Sequence, residues 1–196
     1  VTARDFDAAY YRRFYLDPRT RVAGPEDYLR LVRFLTSYLA FLGLPCRSVL
    51  DLGCGIGGWK EALAEVAPDC RYLGVETSPY LCERYGWEKG SLPTYRPEEA
   101  HDLVVCQGVL QYLDDDEAAA SLGALREFAE GALYLEVLTR RDWEEACDQD
   151  RTDGRVHLRN GEWYRDRLRG AFLDCGGGLF VSTRTGLELF ELEARP

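Results

Sequence analysis

Val49-Leu50-Asp51-Leu52-Gly53-Cys54-Gly55-Ile56-Gly57-Gly58-Trp59 decides how the rest of this chain is read. An apolar run holding one acid ends at Leu52, and glycines follow at positions 53, 55 and 57 before a helix-like segment. The pattern predicts a buried strand that turns sharply into a helix, with bare backbone at the turn for a ligand to approach. Two templates fit: Gly53, Gly55 and Gly58 make GxGxxG, whereas Gly53, Gly55 and Gly57 make GxGxG. Asp51 separates them. A carboxylate two residues before the first glycine repels a pyrophosphate seated on the helix N-terminus and favours a ligand with positive charge there.

Composition narrows the partners. At 196 residues, 46% hydrophobic and 30% charged, the chain reads as one soluble globular domain with a sizeable core. A net charge of -10 argues against a surface built for phosphate backbones, so a small molecule is the expected partner, a protein the next. The seven cysteines include no CxxC pair, and the only histidines are His101 and His157. Neither a disulfide framework nor a zinc site follows, and no metal is expected. No apolar run approaches the ~20 residues of a membrane span. The start of the chain is rich in Arg and Asp rather than a hydrophobic signal core, so the expected location is the cytoplasm. The absence of methionine means that the initiator has been removed or trimmed.

Outward from the glycine turn, strands and helices alternate. Ser48–Leu52 is the first strand and Gly57–Val66 its helix. Arg71–Val75 is a second strand closing on Glu76, and Leu81–Tyr85 a short helix. A weak strand is expected near Trp87–Lys89. Asp102–Cys106 is a continuous apolar strand of the parallel-sheet kind. Asp114-Asp115-Asp116 caps a helix running to about Glu130; Gly131 is read as its stop and Ala132–Leu138 as another strand. This alternation predicts an α/β sheet covered on both faces. A helix over Glu162–Asp174 comes next, and Leu179–Thr183 and Leu187–Glu193 flank Arg184-Thr185-Gly186 as a hairpin, so one edge is mixed. Residues 1–45 form an N-terminal helical cap: aromatics (Phe6, Tyr10, Tyr11, Phe14, Tyr15) crowd its first part, and Leu31, Val32, Leu35 and Leu39 recur at helical spacing. Residues 46–139 form the cofactor core, 140–161 a polar loop on the substrate side, and 162–196 the closing helix and hairpin.

Glu76, at the end of the second strand and roughly 20 residues past the glycines, can accept both hydroxyls of an adenosine ribose. Nicotinamide dinucleotides and S-adenosylmethionine share that ribose, and Asp51 favours the second. Together the segments resemble the class I S-adenosylmethionine-dependent methyltransferases. Val49–Gly57 matches their first motif, Gly74-Val75-Glu76-Thr77-Ser78-Pro79 their second, Lys89–Pro93 the segment bordering adenine, and Asp102–Leu113 the fourth strand and its loop. Ser91 replaces the usual Asp of the adenine segment. The resemblance implies a three-layer Rossmann-like sandwich: a seven-stranded, mostly parallel sheet with an antiparallel C-terminal strand. It also implies that Asp51, Gly53, Cys54, Gly55 and Gly57 hold the methionine end, and that Glu76 and Thr77 take the ribose side. Gly90, Ser91 and Leu92 would frame adenine; Gln107, Gly108 and Val109 would floor the sulfonium.

The implied activity is methyl transfer to a small acceptor, leaving S-adenosylhomocysteine, with an acceptor atom held in line with the methyl carbon. An alcohol or phenol acceptor also needs a base, and His157 in the polar loop is the candidate by residue type. An NAD(P)-dependent oxidoreductase and a non-catalytic S-adenosylmethionine-binding protein stand as alternatives.

Overall fold

The computed structural model describes residues 6–189. Seven strands form one sheet in the order β3-β2-β1-β4-β5-β7-β6. They are β1 (Ser48–Leu52), β2 (Arg71–Glu76), β3 (Glu88–Lys89), β4 (His101–Gln107), β5 (Ala129–Glu136), β6 (Phe172–Asp174) and β7 (Leu179–Ser182). Strands β1 to β5 pair in parallel, and β7 runs antiparallel to both β5 and β6. The helices are α1 (Ala8–Tyr11), α2 (Pro25–Phe41), α3 (Gly58–Val66), α4 (Pro79–Tyr85), α5 (Asp115–Phe128), α6 (Arg140–Glu145) and α7 (Gly161–Leu168). Among the described residues no helix is long and apolar enough to cross a membrane.

The period-two geometry of strands sorts the core into two layers. Val49, Leu103, Val105, Ala132 and Tyr134 pack under α2 and α3. Their sequence neighbours Leu50, Val104, Cys106, Leu133 and Leu135 pack under α5 and α7. Burial on both faces is why β1 and β4 read as unbroken apolar runs. Pro25 opens α2, where its missing N–H is no loss. Asp114 caps α5 by accepting from the Glu117 N–H at 2.9 Å, which accounts for the acidic triplet.

Three local expectations are corrected. The hairpin lies at β6–β7, and its reversal is made by Gly176, Gly177 and Gly178, all with positive φ. Thr183–Thr185 is instead a single 3-10 turn; Leu187–Leu189 carry no strand, and residues 190–193 lie outside the described residues. The last helix ends at Leu168 rather than Asp174, because Phe172–Asp174 pair with β7. Within 140–161, Arg140–Glu145 forms α6 on a Thr139 capping box.

The third correction has a steric cause. Gly131 does not stop α5; it lies inside β5, which begins at Ala129. The β4–β5 register shifts between His101 and Leu103, and a Cβ on Gly131 would sit 2.5 Å from the Asp102 carbonyl oxygen. Asp102 has no room to retreat. Its carboxylate accepts from the Arg47 and Ser48 N–H groups at 2.7 and 3.2 Å, and its own N–H donates to Ser48 Oγ at 3.0 Å. Gly131→Ala is therefore expected to cost about 1–3 kcal/mol in a denaturant titration. A loss below ~0.5 kcal/mol would show that this junction yields freely.

Candidate functional site

The C-terminal ends of β1, β2 and β4 open on one cleft, the usual ligand position of an open α/β sheet. The turn after β1 is possible only with glycine at its first position. Gly53 has φ +81°, and a Cβ there would meet Val109 Cγ2 at 2.4 Å. Its N–H and that of Cys54 donate to the Val75 carbonyl at 2.8 and 3.1 Å, which ties the turn to β2. Trp87 supports it from below, with Nε1 donating to the Gly55 carbonyl at 2.9 Å and its ring against Gly57.

Gly53, Gly55, Glu76, Thr77, Gly90, Ser91, Leu92, Gln107, Gly108 and Val109 all line a first compartment of about 190 Å³. Asp51 and Cys54 line a second, of about 480 Å³, on the α2–α3 side. Gly57 lines neither; its role is to turn the chain into α3 as the N-cap. Gly53, Gly55, Gln107, Gly108, Tyr15 and Tyr112 belong to both compartments and form their common wall.

Two buried acids flank that wall. Glu76 is 4% exposed, and its carboxylate accepts from the N–H groups of Gly55 (2.9 Å), Thr77 (2.8 Å) and Ser78 (2.9 Å). Burial raises its pKa and the three amides pull it back, with a net upward shift. The Tyr11 phenol also hydrogen-bonds to this carboxylate and opposes the shift. Asp51 is 2% exposed, and among the described residues its side chain has one hydrogen-bond partner, the Tyr72 hydroxyl at 2.6 Å. Burial pushes its pKa up to about 7; the Tyr72 hydrogen bond opposes this and the nearby Glu76 charge adds to it.

Two residues that hold the wall, Tyr134 and Glu136, carry no sequence signal of their own. Trp59 Nε1 donates to Gln107 Oε1 at 2.8 Å, Gln107 Nε2 donates to Glu136 at 3.2 Å, and the Tyr134 hydroxyl donates to Glu136 at 2.7 Å. This relay fixes Gln107 at the common wall. Above it lies the N-terminal segment, α1 followed by a π-helical turn at Arg12–Leu16. Phe6, Tyr11 and Tyr15 reach the first compartment, and Ser78 Oγ donates to the Phe6 carbonyl at 2.6 Å. The Tyr10 and Tyr112 hydroxyls hydrogen-bond at 2.8 Å. His157 is exposed; it lines a separate groove with Arg140, Asn160 and Trp163, and its backbone N–H donates to the Gln111 carbonyl at 2.7 Å.

A sheet of this order, with a glycine turn after β1 and an acid closing β2, defines a Rossmann-like fold of the methyltransferase type. Over its central part the chain is similar to class I S-adenosylmethionine-dependent methyltransferases. The family profile described as "Methyltransferase domain" matches residues 50–129. A trans-aconitate 2-methyltransferase of Methylobacterium radiotolerans is 34% identical over 119 residues, covering 57% of this chain and 41% of that protein. The chain thus matches about two fifths of the length of its curated relatives. Among solved structures, the sugar N-methyltransferase KedS8 from Streptoalloteichus superposes with a TM-score of 0.60 at 19% identity, covering 84% of this chain and 89% of that one. The amino pentose methyltransferase CalS10 from Micromonospora echinaspora, solved with bound S-adenosylmethionine, gives 0.59 at 18% identity, covering 84% and 93%.

Asp51 makes the ligand-free protein pH-sensitive in a definite direction. Its folded pKa stands near 7 against an ordinary 3.8, so the folded state holds the proton more tightly than the unfolded state. The stability it contributes is full below about pH 4 and falls as pH rises towards 7, by on the order of a few kcal/mol. Asp51→Asn should flatten that slope in urea titrations at a series of pH values. Parallel profiles for the two proteins would show that Asp51 titrates normally.

Proposed function

We propose that this domain transfers a methyl group from S-adenosylmethionine to a small-molecule acceptor, with the donor across the Glu76 and Asp51 compartments and the acceptor beyond the common wall. The observation that carries the reading is the buried, uncompensated Asp51 carboxylate at the junction of two contiguous compartments. Burial pushes its pKa up to about 7, and the ammonium of a methionine moiety beside it would favour the ionised carboxylate. A dinucleotide pyrophosphate would be repelled at the same position.

The roles follow from placement. Asp51 holds the ammonium, and Glu76, already oriented by three amides, faces the ribose. Thr77 borders the adenosine, and Gly90, Ser91 and Leu92 frame adenine through backbone and apolar surface. Gln107, Gly108 and Val109 form the floor between donor and acceptor, with Gln107 held by Trp59. Phe6, Tyr11 and Tyr15 cover the first compartment and exclude water from it. The donor brings an activated methyl on a positively charged sulfur, so the protein's main task is alignment, worth several kcal/mol of the barrier by itself. His157, exposed in its separate groove, has no part in this reading. The relatives' names, a trans-aconitate methyltransferase and sugar methyltransferases, support a small acceptor. Seven free thiols support a reducing, cytoplasmic setting.

Calorimetry with S-adenosylmethionine, S-adenosylhomocysteine and NAD should show binding of the two adenosyl ligands and not of NAD; the reverse order would sink the proposal. Methyl transfer should then appear in a panel that includes trans-aconitate and amino sugars. Glu76→Ala should weaken S-adenosylhomocysteine by about 1.5–3 kcal/mol, roughly ten- to a hundredfold. Unchanged affinity would remove Glu76 from the site.

A further inference from the structure

We propose that Arg151 and Gln111 form a recognition site for a carboxylate group of the acceptor; this rests on the methyl-transfer reading above and names the acceptor's chemical class. Asp51, Glu136, Asp142, Asp153 and Arg151 are the charged residues among the described ones that line the second compartment. By count alone that wall favours a cation. The hydrogen bonds say otherwise.

Each of the four acids has a hydrogen-bond donor, and one of them, Asp153, is ion-paired. Asp51 accepts from the Tyr72 hydroxyl at 2.6 Å, and Glu136 from the Tyr134 hydroxyl at 2.7 Å and Gln107 at 3.2 Å. Asp142 accepts from the Thr139 N–H at 3.0 Å, and Asp153 pairs with Arg155 Nε at 3.2 Å. Of these, Asp51 is reserved in the reading above for the cofactor's ammonium.

Arg151 differs. Its Nη2 donates to the Arg21 carbonyl, yet among the described residues it forms no ion pair, and its Nε is buried without a partner. Gln111, 8% exposed on the 3-10 turn Leu110–Tyr112, has Oε1 buried and equally unpartnered. A buried donor left unpaired is costly, and more so on a charged group, so such a position marks a contact that a ligand completes. Both residues line the same cavity. A planar carboxylate matches a guanidinium edge, and the Gln111 amide can turn its NH₂ end towards the second oxygen. A cationic acceptor would meet a guanidinium that forms no ion pair among the described residues.

The test titrates protein already loaded with S-adenosylhomocysteine with three probes of matched length: succinate, butane-1,4-diol and putrescine, with inorganic phosphate as a fourth. Saturable binding of succinate alone is expected. Arg151→Gln should weaken succinate about tenfold or more while leaving S-adenosylhomocysteine affinity unchanged. Because Arg151 also holds the Arg21 carbonyl, a second variant covers the case in which the first fails to fold. Gln111→Glu places a carboxylate beside the guanidinium and should block succinate to a similar extent. The proposal is overturned if succinate does not bind, if it binds the folded variants as well as the parent, or if putrescine or phosphate binds in its place. Loading comes first, so failure to take up S-adenosylhomocysteine sinks the cofactor reading, whereas loss of succinate binding alone sinks only this one.

Discussion

Three backbone N–H groups from two loops converge on the Glu76 carboxylate, and the geometry of the cleft depends on that convergence. Gly55 comes from the turn after β1, and Thr77 and Ser78 from the turn after β2. Hydrogen bonds to a charged group are worth about 1.5–3 kcal/mol each and offset part of the cost of burying the acid, whose pKa still shifts upward. The same turn reaches the covering segment, because Ser78 Oγ holds the Phe6 carbonyl. One carboxylate thus fixes the positions of the glycine turn and the second motif, and through Ser78 that of the N-terminal cover. The first compartment is therefore built before any ligand enters it, which reduces the ordering cost of binding.

Asp51 works by the opposite principle. Glu76 is satisfied by its own backbone surroundings, while Asp51 is buried with a single phenol for company and held near neutrality. The difference follows from strand parity. Asp51 shares the α2–α3 face of β1 with Val49, where neighbouring side chains are apolar or aromatic and no turn amide can reach it. A site that is incomplete without a cation selects for one. Satisfaction at Glu76 gives rigidity, and its absence at Asp51 gives specificity.

Much of this was legible in the sequence where one local segment carries the signal. The turn from Gly53 to Gly57, the acid at the end of β2 and the apolar run of β4 are each encoded within a few residues, so the fold and most of the cleft wall could be read. The hairpin was shifted because Arg184-Thr185-Gly186 and Gly176-Gly177-Gly178 are both acceptable reversals, and only pairing of Phe172–Asp174 with β7 chooses between them. Gly131 misled for a related reason: a glycine after a helix reads as a stop, whereas its cause is the Asp102 carbonyl on the neighbouring strand. Contacts such as Trp59 with Gln107 and Tyr10 with Tyr112 join residues 48 and 102 positions apart, and no spacing rule announces them. His157 was singled out by residue type and by its place in the polar loop, and neither fixes where the side chain sits in space.

The second compartment repeats the contrast between satisfied and unsatisfied groups with the opposite charge. Arg151 sits in the segment between α6 and α7 and grips the Arg21 carbonyl, while Arg13 donates to the Asp150 carbonyl at 3.4 Å. The N-terminal cover and the 140–161 segment therefore close on each other through arginine-to-carbonyl bonds, with the second compartment enclosed between them. A ligand that engages Nε of Arg151 also restrains the side chain that holds the cover.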